Sequence, residues 1–528
     1  MQKLSYYYGR FNIPKTIWGI FFVALVLRFW GIWYGLPLQL NVDEPSLVSG
    51  TLSLKENLNP GRFDWPSLYF YINAVFYGIF SLIKPLLTLI FKIPDENFSS
   101  ASFFIISRSL SAVLGSLTVI IVYFIARKIF SHKVGIIAAL LLTFLPIHVY
   151  ESHLAKIDIA HTFFVTLAVY FIWNIYKAGS KWSYLISGIL IGLATSIKYN
   201  SFLLAISVLL AYLLRRSEIQ EKSFLKKYFN AEHIRYMLLA GILSIVVFYM
   251  VTPFALIDYE TFFSTEQGVG AMWQFQNVGQ VEWPLYSAEV YETFVTMFRG
   301  DLGFTLWVLF SVLLILFLFF NKRGKEYTFL LLPTVILTFY ISRLDRSPSH
   351  YFLMLIPFYI PALAKFICDL YEGFSKMKYL REVPLYLFVA IILLPSFWSV
   401  LKSNYMLSRQ DTRNLAYNWA KDNLDENKDF LFVIGEELSV VEFKRNETLK
   451  VKKLDREGID YRMAPFFVLI GVEGVNKSQL LEGDRDPGNL EGNSEPILKY
   501  ADLLFSVDND LRFGPPIHIF KVNQVEAE

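Results

Sequence analysis

Long apolar stretches separated by short polar loops recur over the first three quarters of the chain. A helix needs about 20 mainly apolar residues to cross a bilayer, with a lower limit of about 17. The pattern predicts eleven crossings, and two unusually short ones meet at Lys198-Tyr199-Asn200. The predicted crossings are 16–34, 105–126, 134–150, 160–176, 183–197, 199–214, 236–256, 302–320, 327–341, 351–367 and 384–401.

The apolar stretch 67–91 is also long enough to cross, but we interpret it differently. The basic turn at 127–133 should be cytoplasmic, because Lys and Arg are enriched in cytoplasmic loops, and a crossing at 67–91 would place that turn outside. Lys84-Pro85 is expected to interrupt the stretch, and Pro66 to restrict its start. We therefore predict that 67–91 lies along the outer interface, within a large extracytoplasmic loop at 35–104 that carries interfacial helices.

Positive charges give the orientation. The N-terminus carries Lys3, Arg10 and Lys15, and the loop 215–235 is rich in Lys and Arg, so both should be cytoplasmic. After an odd number of crossings, the tail from about residue 402 lies outside. We expect an integral protein of the plasma membrane.

The segment 402–528 has a different pattern. Residues 411–420 predict a helix with an acidic start and an apolar stripe. Short β-rich runs follow, separated by Gly, Asp, Asn and Pro turns, at 430–434, 466–470, 503–507 and 517–522. The predicted fold class is an all-α polytopic membrane protein with about eleven transmembrane helices at 1–401 and a small soluble α/β domain at 402–528.

Composition agrees with a membrane protein and excludes several other classes. Of the 528 residues, 54% are hydrophobic and 17% aromatic, more than the interior of a soluble protein of this size can hold. The single cysteine, Cys368, excludes a disulfide framework and a Cys/His metal cluster. The basic residues occupy short loops and form no nucleic-acid motif, so no nucleic acid partner is expected.

Charged side chains at the predicted outer surface are the candidate functional residues. Adjacent carboxylates beside a bilayer are energetically costly unless they have partners or a function. Lys and Arg are usually enriched on the cytoplasmic side, so cations at the outer surface are unusual. These cations call for a partner, either the protein's own acids or the phosphate of a lipid head group. The set comprises Asp43, Glu44, Arg108, Glu151, His153, Lys156, Asp158, Lys198, Arg343, Asp345, Arg346 and His350.

Two simpler interpretations of these charges stay open. Internal salt bridging is at least as plausible as ligand binding for Lys156 with Asp158, and it competes for the arginines beside Asp345. Asp43 and Glu44 could bind a divalent metal, although two carboxylates alone make a weak site.

Six segments carry a resemblance to a known family: Asp43-Glu44, Trp65-Pro66-Ser67-Leu68-Tyr69, 108–115, Ala155-Lys156-Ile157-Asp158, 188–198, and His350-Tyr351 through Pro357. Their order and spacing over about residues 16–365 resemble the GT-C superfamily of membrane glycosyltransferases. The closest branch is PMT-like (glycosyltransferase family 39), the protein O-mannosyltransferases and aminoarabinose transferases. Relatives often have two prolines near position 66, and Arg-Tyr where this chain has His350-Tyr351.

The resemblance implies a GT-C-like fold and transfer of a hexose or pentose from a polyprenyl-phosphate donor to an extracytoplasmic hydroxyl of a protein, lipid or glycan. In that family the first-loop aspartate is the catalytic base, and the resemblance implies this role for Asp43. Glu44 would orient the acceptor or a second ligand. The site would lie among membrane lipids, and a divalent metal is a further candidate partner. The expected contacts to the donor phosphate and sugar are Arg108, Lys156, Asp158, Lys198, Arg346 and His350.

Two other function classes compete. A transporter or flippase of lipid-linked sugars predicts charges near the bilayer midplane and interrupted helices in matching halves, and only the Lys198 junction hints at this. A scaffold that displays 402–528 would leave the outer cations unexplained.

Overall fold

A computed structural model describes most of the chain. The described residues are 13–38, 40–91, 101–284, 287–292, 294–295, 298–320, 324–345, 347–375, 384–424, 430–434, 450–453, 466–471, 501–507, 511–513 and 515–522.

Helices dominate the described residues. In chain order they are α1 (Lys15–Phe29), α2 (Glu44–Ser53), α3 (Leu68–Phe91), α4 (Ala101–Ile129), α5 (His132–Thr143), α6 (Pro146–Glu151), α7 (Ile157–Lys177), α8 (Lys181–Thr195), α9 (Ala205–Ser217), α10 (Phe224–Tyr228), α11 (Ala231–Val251), α12 (Phe254–Ile257), α13 (Tyr259–Phe262), α14 (Ala271–Trp273), α15 (Ala288–Glu292), α16 (Phe298–Leu302), α17 (Phe304–Phe320), α18 (Lys325–Ile341), α19 (Ile356–Phe374), α20 (Leu385–Ser408) and α21 (Thr412–Asn423). Two 3₁₀ helices and a π-helix interrupt this series, at Tyr199–Leu204, Ser349–Leu355 and Gln274–Val278.

A helix lies in each of the eleven predicted crossings, but 134–150 is divided between α5 and α6 by a break at 144–145. The helices are α1, α4, α5, α7, α8, α9, α11, α17, α18, α19 and α20. The predicted fold class is confirmed, and the number of crossings stays a prediction. Among the described residues, seven helical segments are long and apolar enough to cross a membrane: Leu68–Ile90, Ala101–Ile129, Ile157–Lys177, Tyr199–Ser217, Phe224–Val251, Ser349–Phe374 and Leu385–Asn423.

Helix α3 runs through Pro85 without a break, so the expected interruption at Lys84-Pro85 is wrong. A proline removes one helical hydrogen bond, and the remaining turns of this 24-residue helix continue on both sides of it. Most of its apolar side chains are exposed, as Leu82 illustrates at 81%. The helix is long enough to cross, and the interfacial placement of 67–91 stays a prediction.

One side of α3 is polar and packs against α4. The hydroxyl of Tyr69 lies 3.2 Å from the Ser111 hydroxyl, and the hydroxyl of Tyr77 lies 2.6 Å from that of Ser107. The two tyrosines are eight residues apart and the two serines four apart, so each pair repeats on one helix face. These hydrogen bonds fix α3 beside the helix that carries Arg108.

Two glycines allow α8 and α11 to pack at backbone distance. A methyl group on Gly188 would lie 2.3 Å from the carbonyl oxygen of Ala240, and one on Gly192 would lie 2.6 Å from that of Ser244. Small residues four apart let membrane helices approach this closely. These two glycines lie in the 188–198 segment of the resemblance, and the structure gives them a packing role.

The chain forms two compact units. The first comprises Met1–Phe29 and Asp43–Leu401, and the second comprises Trp30–Val42 and Lys402–Glu528. The sequence did not predict that the segment after α1 would belong to the second unit. Within that unit, the Tyr34 hydroxyl donates to Oδ2 of Asp411 at 3.1 Å, and Nη2 of Arg413 donates to the Tyr34 hydroxyl at 3.2 Å.

A five-stranded mixed sheet lies in the second unit, with the strand order β2-β1-β3-β5-β4. Strand β1 is parallel to β2 and β3, and β5 is antiparallel to β3 and β4. The strands are β1 (Phe430–Ile434), β2 (Lys450–Lys453), β3 (Phe466–Gly471), β4 (Ala501–Val507) and β5 (Ile517–Val522). The four predicted strands are present, and β2 was missed because Lys-Val-Lys-Lys is not an apolar run.

Candidate active site

Asp43 and Glu44 stand at the start of α2, where the turn into the helix separates them. Asp43 is the N-cap residue, but its side chain makes no capping hydrogen bond. Its Oδ2 lies 3.2 Å from Nζ of Lys156 instead, and 38% of the side chain is exposed. Glu44 is the first helical residue and is fully buried. Pro45 suits this first turn because its ring presets a helical φ and the missing N–H would have no helical acceptor.

Glu44 forms a closed ion pair with Arg108 of α4. Nε of Arg108 donates to Oε1 at 2.7 Å and Nη2 donates to Oε2 at 2.6 Å, while both side chains are 0% exposed. The backbone N–H of Ala155 donates to the same Oε1 at 2.7 Å. Two parallel hydrogen bonds fix both position and orientation. Glu44 therefore joins α2, α4 and the loop before α7.

Lys156, in the loop between α6 and α7, is surrounded by three carboxylates. Its Nζ lies 3.2 Å from Oδ2 of Asp43, 3.3 Å from Oε2 of Glu151 and 3.7 Å from Oδ2 of Asp158. The lysine side chain is 5% exposed, and those of Glu151 and Asp158 are 6% and 4% exposed. Asp43 is thus the most exposed of the three acids.

A second ammonium extends this group. Nζ of Lys198 donates to Oδ1 of Asp158 at 2.7 Å and lies 4.0 Å from the centre of the Tyr351 ring. A cation over an aromatic face is attracted by the negative charge of the ring. His350 contacts the Tyr351 ring at 5.0 Å between centroids and interacts electrostatically with Asp158. We call Asp43, Glu151, Lys156, Asp158 and Lys198 the Lys156 cluster.

Burial and neighbouring charges shift the pKa values of Glu151 and Lys156 in opposite directions. Both residues lie outside the helices that are long and apolar enough to cross a membrane. Burial raises the pKa of Glu151 to about 7, although the charge of Lys156 lowers it. Oε2 of Glu151 is buried and lies 3.3 Å from the ammonium of Lys156, which offsets only part of the solvation that this oxygen loses. For Lys156, burial lowers the pKa, but the three carboxylates, Glu151 first among them, outweigh burial and raise it. The ammonium is therefore held in its charged form.

The structure brings most of the predicted site residues together within the first unit. Lys156 contacts Asp43 and Asp158, Asp158 contacts Lys198, and Glu44 pairs with Arg108 beside Ala155. Arg346 lies outside the described residues. The catalytic and donor-binding roles assigned to these residues stay predictions.

Two members of the site were not assigned from the sequence. Glu151 was one of the outer charges, but it stands seven residues before Asp158 and no spacing rule connects it with Lys156. Tyr351 was part of the resemblance only, and an aromatic residue next to His350 predicts no contact with Lys198. The Glu151 contact depends on the turn between α6 and α7. The Tyr351 contact depends on how the 3₁₀ helix Ser349–Leu355 packs beside the residues that follow α8.

The carboxylates of the Lys156 cluster do not fit a divalent metal. Metal–oxygen bonds are about 2.0–2.6 Å long, and such an ion needs several oxygens around one point. Here the point that Asp43, Glu151 and Asp158 share is taken by the ammonium of Lys156. Across the part of the chain that the structure describes, no group of three or more His, Cys, Asp or Glu side chains could hold a metal ion.

Comparisons with known proteins agree with this architecture. Residues 82–253 match a family model described as dolichyl-phosphate-mannose-protein mannosyltransferase. No curated protein sequence matches the chain significantly.

Solved structures that match the chain include one protein in two states and an oligosaccharyltransferase. ArnT from Cupriavidus metallidurans bound to undecaprenyl phosphate is 12% identical over 95% of this chain and 97% of its own, with a TM-score of 0.54. The same protein in the apo state has the same identity and coverage, with a TM-score of 0.52. The apo oligosaccharyltransferase of Archaeoglobus fulgidus is 13% identical over 84% of this chain and 65% of its own, with a TM-score of 0.48. The predicted resemblance is confirmed: this chain is an integral membrane protein with the GT-C glycosyltransferase fold, and its residues 82–253 match the protein mannosyltransferase family.

Proposed function

We propose that the protein moves a hexose or pentose from a polyprenyl-phosphate donor to an acceptor hydroxyl on the extracytoplasmic side of the membrane. The family model is named for a dolichyl-phosphate-mannose donor, and the similar ArnT structure binds undecaprenyl phosphate. The observation that carries the proposal is the position of Asp43, a partly exposed carboxylate at the edge of a buried, charged cluster.

Asp43 is the general base in this proposal. The acceptor oxygen attacks the anomeric carbon, its proton passes to the Asp43 carboxylate, and the bond from the anomeric carbon to the phosphate oxygen breaks. Such a base must reach the acceptor proton at hydrogen-bond distance. Of the three carboxylates around Lys156, Asp43 has the exposure for this contact, while Glu151 and Asp158 are enclosed.

The leaving group is a polyprenyl phosphate that takes the electron pair of the broken bond. Its negative charge needs preorganised cations more than it needs a proton. Lys198 has a side chain that is 13% exposed and is aligned by Asp158, and His350 interacts electrostatically with the same Asp158. We assign the phosphate to these two residues together with Arg346.

Glu44 and Arg108 hold the base in place. Both are fully buried and bonded to each other, so neither presents a charge to a substrate in this arrangement. Their pair fixes the first turn of α2, directly after Asp43. We assign a positioning role to both, in which they set the direction of the Asp43 carboxylate.

The test uses purified full-length protein in lipid nanodiscs with polyprenyl-phosphate mannose and a panel of other polyprenyl-phosphate sugars, each supplied together with a mixture of protein, lipid and glycan acceptors that carry the attacking hydroxyl. Wild type should release polyprenyl phosphate from at least one donor, and Asp43→Asn should release it about 10²–10⁴ times more slowly, the usual contribution of a general base. Asp369→Asn is a matched control, since the described partners of that carboxylate, Lys365 and Tyr327, are not members of the Lys156 cluster. It should keep wild-type turnover.

Two results contradict the proposal. Near-normal turnover of Asp43→Asn would remove the base assignment. Movement of the intact lipid-linked sugar between leaflets, with no release of polyprenyl phosphate from any donor, would identify a flippase instead.

A further inference from the structure

We propose that Lys156 is the built-in cation of this site, and that its ammonium does for the three surrounding carboxylates what a divalent metal would do. The inference rests on the proposed function, because it concerns how the same carboxylates are held for sugar transfer. It makes Lys156 a positioning residue for Asp43 and makes the transfer independent of added metal.

The geometry places one charge at the centre of the acids. Asp43 precedes α2, Glu151 ends α6 and Asp158 lies in the first turn of α7, so the three acids come from three elements. Each nevertheless has an oxygen within 3.7 Å of the same Nζ atom. Lys156 is the N-cap residue of α7 with an extended backbone, and its side chain makes no capping hydrogen bond.

The charge balance makes this cation necessary. The cluster holds the carboxylates of Asp43, Glu151 and Asp158 against the ammonium groups of Lys156 and Lys198. Without Lys156, two nearly enclosed carboxylates and Asp43 would lose the one ammonium that contacts all three of them. In the described contacts, Lys198 pairs with Asp158. Buried carboxylates with no counter-charge are strongly unfavourable. A divalent cation with oxygen ligands is the usual alternative solution.

Distances separate the two solutions. The ammonium contacts of 3.2–3.7 Å exceed metal–oxygen bond lengths by roughly 1 Å. A metal ion can enter only if the ammonium leaves and the carboxylates close in by that amount. Removal of the Lys156 side chain should therefore turn an ion-pair cluster into a metal site.

The first measurement uses electron paramagnetic resonance to monitor Mn²⁺ binding to the full-length protein in nanodiscs. No donor is present. Wild type should bind no Mn²⁺ tightly, and Lys156→Ala should gain one site with an affinity at least about tenfold above wild type, because three carboxylates become available. Lys198→Ala is the matched control: it also removes one ammonium, but Lys156 stays in the centre, so no tight site should appear. Lys156→Ala combined with Glu151→Gln should weaken the new site.

The second measurement is turnover with and without EDTA. Wild type should keep its rate in EDTA, whereas Lys156→Ala should lose most of its rate and regain part of it when Mn²⁺ or Mg²⁺ is added. If Lys156 instead binds the donor phosphate, Lys156→Ala will raise the KM for the donor and divalent ions will not restore the rate, which overturns the inference.

Outcomes on wild type decide the case even if Lys156→Ala fails to fold. Tight Mn²⁺ binding by wild type, or loss of its rate in EDTA with recovery on Mn²⁺, overturns the inference. Lys156→Met, which keeps most of the side-chain volume, is the second variant for the binding measurement. Mn²⁺ binding is measured without donor, so its result does not depend on whether the protein transfers sugar. Failure of the sugar-transfer proposal would instead appear as absent turnover in wild type.

Discussion

Two neighbouring carboxylates, Glu44 and Asp43, have opposite environments. Glu44 is 0% exposed and locked into two short hydrogen bonds with Arg108, whereas the Asp43 side chain is 38% exposed and lies 3.2 Å from a lysine shared with two other acids. A residue at a helix N-cap and the next residue point in different directions, so a one-residue step takes the side chain from the core to a partly exposed position. The buried acid holds the structure, and the partly exposed acid is available for chemistry.

Breaking the buried pair should have the largest effect. Arg108→Met leaves the Glu44 carboxylate buried with no counter-charge, and the loss of one partner of a buried pair costs about 3–5 kcal/mol of unfolding free energy. We expect this loss in reversible unfolding by SDS in mixed micelles. The double variant Arg108→Met with Glu44→Gln removes both charges and should recover a large part of it. An Arg108→Met protein as stable as wild type would show that the pair does not hold α2.

Asp43→Asn should separate stability from activity. The Asp43 side chain is 38% exposed, and without it Lys156 keeps Glu151 and Asp158 as partners. The unfolding free energy should therefore change by no more than about 1 kcal/mol, as for a surface ion pair, while transfer falls as described above. The same SDS unfolding assay measures the stability of Asp43→Asn, with Arg108→Met as the reference. A destabilisation as large as that of Arg108→Met would mean that Asp43 is structural too, and the contrast between the neighbours would disappear.

The Tyr351 ring should have a smaller effect, on donor binding. Tyr351→Leu removes the aromatic face under Lys198, and a desolvated cation–π contact contributes about 1–2 kcal/mol, which corresponds to about a tenfold higher KM for the donor. Tyr351→Phe keeps the ring and should keep the wild-type KM. Equal loss in both variants would assign the effect to the hydroxyl rather than to the ring.

Much of this fold was predictable because membrane helices need long apolar runs. The eleven predicted crossings all contain helices, and the tail was recognised from a change of pattern after about residue 402. The continuity of α3 was not predictable, because a proline such as Pro85 lowers helix propensity locally while the apolar run on both sides maintains the helix. Strand β2 was hidden because its Lys-rich sequence has no apolar alternation, and its neighbour β1 determines its pairing.

The site was predictable as a set of residues and not as a set of contacts. The predicted topology grouped Asp43, Lys156, Asp158 and Lys198 at one predicted surface of the membrane. Residues 43 and 156 are far apart in the chain, so their ion pair depends on the packing of α2 against the loop before α7. The partner of Glu44 was equally hidden, since burial of Arg108 follows from helix packing that no spacing rule encodes.

Glu151 offers the smallest and most specific test of the difference between a closed pair and a crowded cluster. Its pKa is raised by burial to about 7 from an ordinary value of 4.5, because the attraction of Lys156 does not make up for lost solvation. The folded state then binds this proton more tightly than the unfolded state does. The resulting stabilisation is fully present below the ordinary value and is lost as the pH rises through the folded-state pKa.

Wild-type thermal stability should therefore fall gradually between about pH 5 and pH 7.5, with a contribution from this residue that is absent in Glu151→Gln. The glutamine stays neutral across that range and so removes one titrating group without a large change in shape. Glu266→Gln, at an exposed position of the first unit, is the control and should keep the wild-type slope. If Glu151→Gln has the same slope as wild type, Lys156 neutralises Glu151 as completely as Arg108 neutralises Glu44, and the cluster is as closed as the pair.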